Sequence, residues 1–315
     1  MKKTTISLTP VSPYSFDLTA AYATYFQGQY GSASYIDGIF RQLLMLQDRR
    51  CLVSVRSAET TDSPELEVLI ESPGLNESMV SEARRLAGLI LGIDQNLSAF
   101  YRMALKDEAL APIVKDLFGL HIPQTGSVWE ALIFAILGQQ ISAHVARTLR
   151  TLLVQTYGFS LNTPGATCYS FPKPETLAGA GVNGLRSIKI GRQKALYITD
   201  IASAVVTGEL DLEGLKNTPD EEVISTLTGI MGVGPWTAQW LLIRGLGRPD
   251  AFPDGDLALR RTMGILIKGG SPFSPQEARK YSRRWSPYRS YVTAYLFAAV
   301  RSNRLSELAS VDKRQ

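Results

Sequence analysis

Cysteine and histidine are almost missing from this chain. Its 315 residues hold two cysteines, Cys51 and Cys168, and two histidines, His121 and His144. Two thiols cannot supply the four thiolates of an iron–sulfur cluster. Far apart in sequence, they suit buried thiols in a reducing compartment better than a disulfide framework. So little histidine disfavours a zinc site or a histidine-based triad and points to a carboxylate as the catalytic group. Long apolar runs are missing too. The longest, "ALIFAIL" and "AYLFAAV", are far too short to span a bilayer, so no membrane partner is expected. The opening "MKKTTISLTPVSPYSF" has a basic pair but no apolar stretch behind it. No signal peptide is expected from it, and the expectation is a cytoplasmic protein, or a nuclear one in a eukaryote, and not a secreted one. Internal repeats and low-complexity tracts are also lacking.

What is present is ordinary globular material of a length that suggests about two domains. Charge is distributed unevenly. Residues 1–115 carry 11 Lys/Arg against 13 Asp/Glu, residues 116–315 carry 22 against 16, and the span Arg244–Arg304 carries 12 against 4. A basic C-terminal segment is either a footprint for a phosphate backbone or a solvated helix face.

Residues 1–114 read as a mixed α/β domain. "GIFRQLLML", "CLVSVRS" and "PELEVLIES" predict strands, and the polar "RSAETTDSPE" a hairpin loop. "SFDLTAAYATYF" and "NESMVSEARRLAGLIL" predict amphipathic helices. Tyr14, Tyr22, Tyr25, Tyr30 and Tyr35 are read as packing residues in preference to base-stacking ones. Residues 115–310 read as a helical core. Capping boxes are predicted at Ser127/Glu130, Thr218/Glu221 and Ser274/Glu277, the last two with Pro219 and Pro275 at the first helical position. "SVWEALIFAILGQQIS" is apolar nearly all round and predicts a central buried helix, leaving Gln139 and Gln140 at its end in need of partners.

The stretch "TGIMGVGPWTAQW" puts Gly232-Val233-Gly234 and Pro235 between two helical patterns. Such a turn is either a tight connection or a place where backbone N–H groups grip one phosphate. About twenty residues on, "DAFPDGDLALRR" sets Asp250, Asp254 and Asp256 in a Pro/Gly-broken loop leading into a helix at Leu257. Asp256 falls at the N-cap. It either only caps the helix or also presents a carboxylate to a developing glycosyl cation, and the two roles are compatible. Trp240 and Phe297 lie at a helical spacing that suits helix core, and Trp285 reads as core.

The run "LTGIMGVGPWTAQWLLIRGLGRPDAFPDGDLALRR" resembles the helix-hairpin-helix, Gly/Pro loop and catalytic aspartate of the DNA glycosylase superfamily named for that hairpin. "SVWEALIFAILGQQIS" and "FPKPETLAGAGVNGLRSIKIGRQKALYITDIASAV" resemble the start and middle of the same core. The N-terminal region is similar to the extra domain of the 3-methyladenine DNA glycosylase II branch. The resemblance covers residues 5–305. It implies an α+β N-terminal domain with an antiparallel sheet like that of TATA-binding protein, followed by an all-α core. It also implies a monofunctional enzyme that excises N3- or N7-alkylated purines from damaged double-stranded DNA as a monomer with no required cofactor.

By the same resemblance Asp256 is the essential carboxylate. Gly232, Val233, Gly234 and Thr237, with Gln139 and Gln140, are the DNA contacts, Gln140 as the wedge. Trp236, Trp240 and Phe297 form the base pocket. Main-chain carbonyls of Thr228, Ile230 and Val233 hold a monovalent cation. Three departures stand out. Met231 replaces the usual proline of the hairpin, Gln140 an often aliphatic wedge, and Trp236 the lysine of bifunctional relatives. Two rivals remain: a glycosylase for another lesion class, and a non-enzymatic helix-hairpin-helix DNA-binding protein.

Overall fold

The computed structural model describes residues 1–57, 61–163 and 166–303. The middle of the expected loop after Ser57 and the last basic residue of the C-terminal segment, Arg304, lie outside them. The chain opens with β1 (Lys2–Leu8), α1 (Phe16–Ala23), β2 (Gln29–Tyr30), β3 (Ala33–Ile36), β4 (Ile39–Leu46), β5 (Arg49–Ser57), β6 (Leu66–Ser72) and α2 (Glu77–Leu91). The strands make one sheet in the order β1-β6-β5-β4-β3-β2, antiparallel at every pairing. Its register follows the alternation of side chains. Leu66, Val68 and Ile70 of β6 and Val53 and Val55 of β5 point into a core closed by Phe16 and Ala20 of α1 and by Met79, Ala83 and Leu86 of α2. Asn76 caps α2 through Met79 N–H, and Gly92 ends it in the left-handed conformation.

A helical body follows: α3 (Ser98–Ala104), α4 (Ala111–Asp116), α5 (Val128–Gly138), α6 (Ala143–Tyr157), the two-stranded ribbon β7 (Ser160–Thr163) and β8 (Ala166–Tyr169), α7 (Pro174–Ser187), α8 (Arg192–Thr207), α9 (Asp220–Thr228), α10 (Pro235–Arg244), α11 (Leu257–Ile267), α12 (Pro275–Ser282) and α13 (Arg289–Arg301). No helix among the described residues is long and apolar enough to cross a membrane. Every residue of α5 from Val128 to Leu137 is buried, which its all-round apolar sequence demands. The core around it draws in Tyr22 and Tyr30 from the sheet domain, so the two parts share one packed seam. Trp285 is buried there, its indole N–H donating to Asp107 at 2.8 Å.

The structure corrects two expected caps. At α12 both halves of the box form between Ser274 and Glu277. At α5 the Ser127 hydroxyl accepts from Glu130 N–H, but the Glu130 carboxylate turns to Ser32 and to Gly126 N–H. Thr218 caps nothing: α9 starts one residue later with Pro219 at the cap, and the Thr218 hydroxyl donates back to Gly214.

Candidate active site and nucleic-acid interface

Between α9 and α10 the chain reverses within six residues, Gly229–Gly234. Val233 N–H donates back to the Ile230 carbonyl at 3.0 Å. The two glycines differ physically. Gly232 has φ +86°, and a Cβ there would lie 2.3 Å from the Tyr197 ring of α8, so both backbone and neighbour require glycine. Gly234 has an extended backbone, and a Cβ there would meet nothing within 4 Å. The N–H groups of Gly232, Gly234, Trp236 and Thr237 donate to no acceptor among the described residues. They stand at the positive end of α10, and Pro235 removes none that the helix would have used. Unpaired main-chain N–H groups at a helix N-terminus are chemically suited to an anion.

The three carboxylates of the following loop separate sharply. Asp250 accepts a two-pronged bond from Arg289 at 2.7 and 2.8 Å and another from the Ser286 hydroxyl. Burial alone would raise this carboxyl, but those donors outweigh it and hold it below the usual carboxylate range. Asp254 is paired with Arg279. Only Asp256 has no cationic partner among the described residues. Its Oδ1 caps α11 by accepting Leu259 N–H at 3.0 Å, and its Oδ2 accepts the indole N–H of Trp236 at 2.9 Å and of Trp240 at 3.3 Å. A carboxylate has about four acceptor sites. Three are filled by the Leu259, Trp236 and Trp240 donors, and one remains.

Asp256 opens on a cleft of about 1700 Å³ that also receives Trp236, Trp240, Phe297, Gln139, Gln140, Gly232, Gly234 and Thr237. The rings form a continuous wall: Trp236 meets Trp240 edge-on at 6.3 Å, and Trp240 meets Phe297 at 5.4 Å. Thr237 is buried, with its hydroxyl turned to Gln139. Gln139 itself is half-buried, its amide donating to the Gly232 carbonyl at 2.8 Å and to the Thr237 hydroxyl at 3.0 Å. Gln140 is exposed in the turn between α5 and α6, at φ +54°. Thr228 is the last residue of α9, at its negative end, and Ile230 follows the Gly229 cap in the hairpin. The Ile230 carbonyl already accepts Val233 N–H.

The fold brings in further residues that sequence reasoning missed. Lys194 of α8 lines the cleft and donates to the Leu137 and Gln139 carbonyls at 2.8 and 2.7 Å. Burial, helped by the charge of Arg150, pushes its ammonium down to about 8. Arg301 lies 5.0 Å from the Phe297 ring and 3.8 Å from that of Tyr25. Burial would raise the Tyr25 phenol, but the charges of Arg301, Arg244 and Arg150 lower it. Tyr25 and Tyr30 line the cleft, whereas Tyr14 and Tyr22 are buried packing residues. No local pattern marks Lys194, Tyr25 or Arg301, because each meets the site through another segment of chain.

Free main-chain N–H groups at a glycine hairpin between two helices stand beside a capped carboxylate in an aromatic cleft. Residues 133–287 match the model of the HhH-GPD superfamily of base excision DNA repair proteins. A DNA-3-methyladenine glycosylase of Bacillus subtilis is 33% identical over 205 residues, 65% of this chain and 68% of that one. The 3-methyladenine DNA glycosylase of Archaeoglobus fulgidus superposes with TM-score 0.81 at 27% identity, covering 93% of this chain and 97% of the other. A Schizosaccharomyces pombe 3-methyladenine DNA glycosylase bound to abasic DNA matches 63% of this chain and 94% of its own, at 26% identity and TM-score 0.54. The chain belongs to the HhH-GPD superfamily, in its 3-methyladenine glycosylase II branch.

Proposed function

We propose that this protein is a monofunctional DNA glycosylase that flips alkylated purines out of duplex DNA and hydrolyses their N-glycosidic bonds. The observation that carries the proposal is Asp256: alone among the loop carboxylates it lacks a cation, and it faces the aromatic cleft with one acceptor site left. The reading is supported by the branch to which the chain belongs and by a relative's structure on abasic DNA.

In this mechanism Gly232 and Gly234 offer main-chain N–H groups to a phosphate, and Gln140 enters the space left by the flipped nucleotide. The base lies against Trp236, Trp240 and Phe297. Alkylation at N3 or N7 makes a purine cationic, which favours contact with indole faces and weakens its bond to the sugar. As that bond breaks, its electron pair leaves with the base, which departs neutral. Asp256 stabilises the cationic sugar, and a water oxygen bonds to C1′ and releases its proton to solvent. No general acid is needed for such a leaving group. Trp236 stands where bifunctional relatives carry lysine, and an indole cannot form an imine, so no strand cleavage is proposed. The protein acts as a monomer and needs no cofactor for chemistry. The carbonyls of Thr228, Ile230 and Val233 are hard oxygen donors that suit a monovalent cation at the hairpin, where it would rigidify the phosphate cradle.

The test is release of 3-methyladenine and 7-methylguanine from methylated duplex by the wild type and by Asp256→Asn. Base release by the wild type alone is expected. Equal release by both would remove Asp256 from the mechanism, and none by either would reject the substrate class.

A further inference from the structure

We infer that Lys194 is a positioning residue: with Gln139 it locks the Gln140 turn to the phosphate-binding hairpin, so that wedge and grip act at one fixed separation. The inference rests on the base-flipping reading above. It goes beyond that reading in assigning the coupling to an α8 side chain whose ammonium is engaged by two main-chain carbonyls.

Three observations converge on α8. First, the Lys194 ammonium donates to the Leu137 and Gln139 carbonyls at the C-terminal end of α5. A helix C-terminus has unsatisfied carbonyls and a negative dipole, so the half-buried Lys194 ammonium meets both there. Second, Gln139, whose main chain Lys194 holds, sends its side-chain amide to the Gly232 carbonyl and the Thr237 hydroxyl. The same residue is thus tied to α8 by its backbone and to the hairpin by its side chain. Third, Tyr197, one turn further along α8, lies directly under Gly232. One helix therefore supports the wedge turn through Lys194 and the phosphate turn through Tyr197, and Gln139 joins the two.

The need for such a lock follows from Gln140. A non-glycine residue at φ +54° is in a conformation L-residues avoid, and Gln140 is exposed, so packing does not hold it there. Its conformation must be imposed by what precedes it. The preceding residue is Gln139, with carbonyl and side chain both engaged. If the turn relaxed, the Gln140 side chain would leave the axis set by the hairpin. The duplex would still be gripped, because phosphate contacts do not involve Gln140, but unstacking of the lesion would lose its support.

The experiment uses the full chain as wild type, Lys194→Met and Lys194→Arg, with melting temperature checking the fold. The flipping readout is fluorescence of 2-aminopurine placed beside a 7-methylguanine, which rises as its neighbour unstacks. The chemical readout is single-turnover base release, with 7-methylguanine either paired with cytosine or opposite an abasic site, where it is already poorly held. Lys194→Met is expected to blunt the fluorescence rise and slow release from the paired duplex about tenfold, as loss of charge-assisted bonds implies. Release opposite the abasic site should stay within about threefold of wild type, and undamaged duplex should bind within about twofold, since the flip is then easier and phosphate contact is untouched. Lys194→Arg, which keeps the cation and its donors, should recover most of the loss. A wild type that unstacks the lesion without releasing base would reject the excision reading and leave this one standing. Equal slowing on both duplexes, no change in either readout, or failure of wild type to unstack the lesion would overturn it.

Discussion

The indole N–H of Trp236 donates to Oδ2 of Asp256 at 2.9 Å. One residue thus does two things. By the family resemblance it occupies the position that carries lysine in bifunctional relatives, and its N–H engages the carboxylate proposed to stabilise the sugar cation. Trp236→Phe keeps the ring and deletes the donor. Single-turnover base release is expected to fall about ten- to a hundredfold, the range for a bond to a charged acceptor, with binding of undamaged duplex unchanged. An unaltered rate would mean that the Trp240 donor and the α11 cap suffice.

Asp256→Asn should bind damaged duplex like the wild type and release base at least about a thousandfold more slowly, as expected when a charge needed in the transition state is removed. Asn can keep the α11 cap, but its NH2 then faces the two indole donors, so a lower melting temperature with DNA binding intact is expected. A variant that melts early and loses DNA binding as well would place Asp256 in the fold and not in the chemistry.

The two hairpin glycines should separate under substitution. Gly232→Ala forces a side chain onto the Tyr197 ring at positive φ and is expected to cost about 2 kcal/mol or more in denaturant unfolding. Gly234→Ala meets open space and should leave stability within about 0.5 kcal/mol of wild type. It should still weaken binding to damaged and undamaged duplex alike, because phosphate carries no base information. Normal affinity for both duplexes in Gly234→Ala would make the hairpin a structural connection only.

Borohydride should trap no protein–DNA adduct, and the product strand should stay intact until treated with alkali. Strand cleavage requires an amine at C1′. Lys268 is paired with Glu277 across to α12. Among the described residues that line the cleft, Lys194 is the one lysine, and its amine is engaged by two carbonyls. An adduct abolished in Lys194→Met would convert that residue from support to nucleophile and end the monofunctional assignment.

Excision should decline as pH rises through about 8, the value to which burial lowers the Lys194 ammonium, and the decline should move to higher pH in Lys194→Arg. The accompanying stability change has the opposite sign. From about 8 to the ordinary 10.5, the unfolded chain holds the Lys194 proton and the folded one does not. This group's contribution to stability therefore increases with pH across that window. A falling rate there is not unfolding driven by Lys194. A wild-type profile flat to pH 10 would show that the neutral amine holds the turn as well as the ammonium does.

The sequence by itself determined what is encoded in contiguous stretches. Residues 228–261 contain the helix end, the glycine turn, Pro235 and the capping Asp256, and each of these acts on neighbours a few residues away. The starts of α10 and α11, the burial of α5 and the strands β4, β5 and β6 follow from such local rules and from periodicity. Tertiary structure alone decided the rest. β1 is a polar, mostly exposed segment that becomes a strand only because β6 offers its edge. The ribbon β7–β8 is held by Leu43 and Leu52 of the sheet against Cys168, and by Gln29 and Arg50 bonding to its backbone. Thr218 lost its expected cap when the helix began a residue later. Three aspartates of one short loop look alike in sequence. They differ in the fold because Arg289 reaches Asp250 from 39 residues away, Arg279 reaches Asp254 from 25 away, and two indoles are left facing Asp256. Lys194, Tyr25 and Arg301 enter the site in the same manner. Local spacing specifies bonds within a turn or two of helix, whereas pairing across the chain depends on where packed helices and strands bring side chains together.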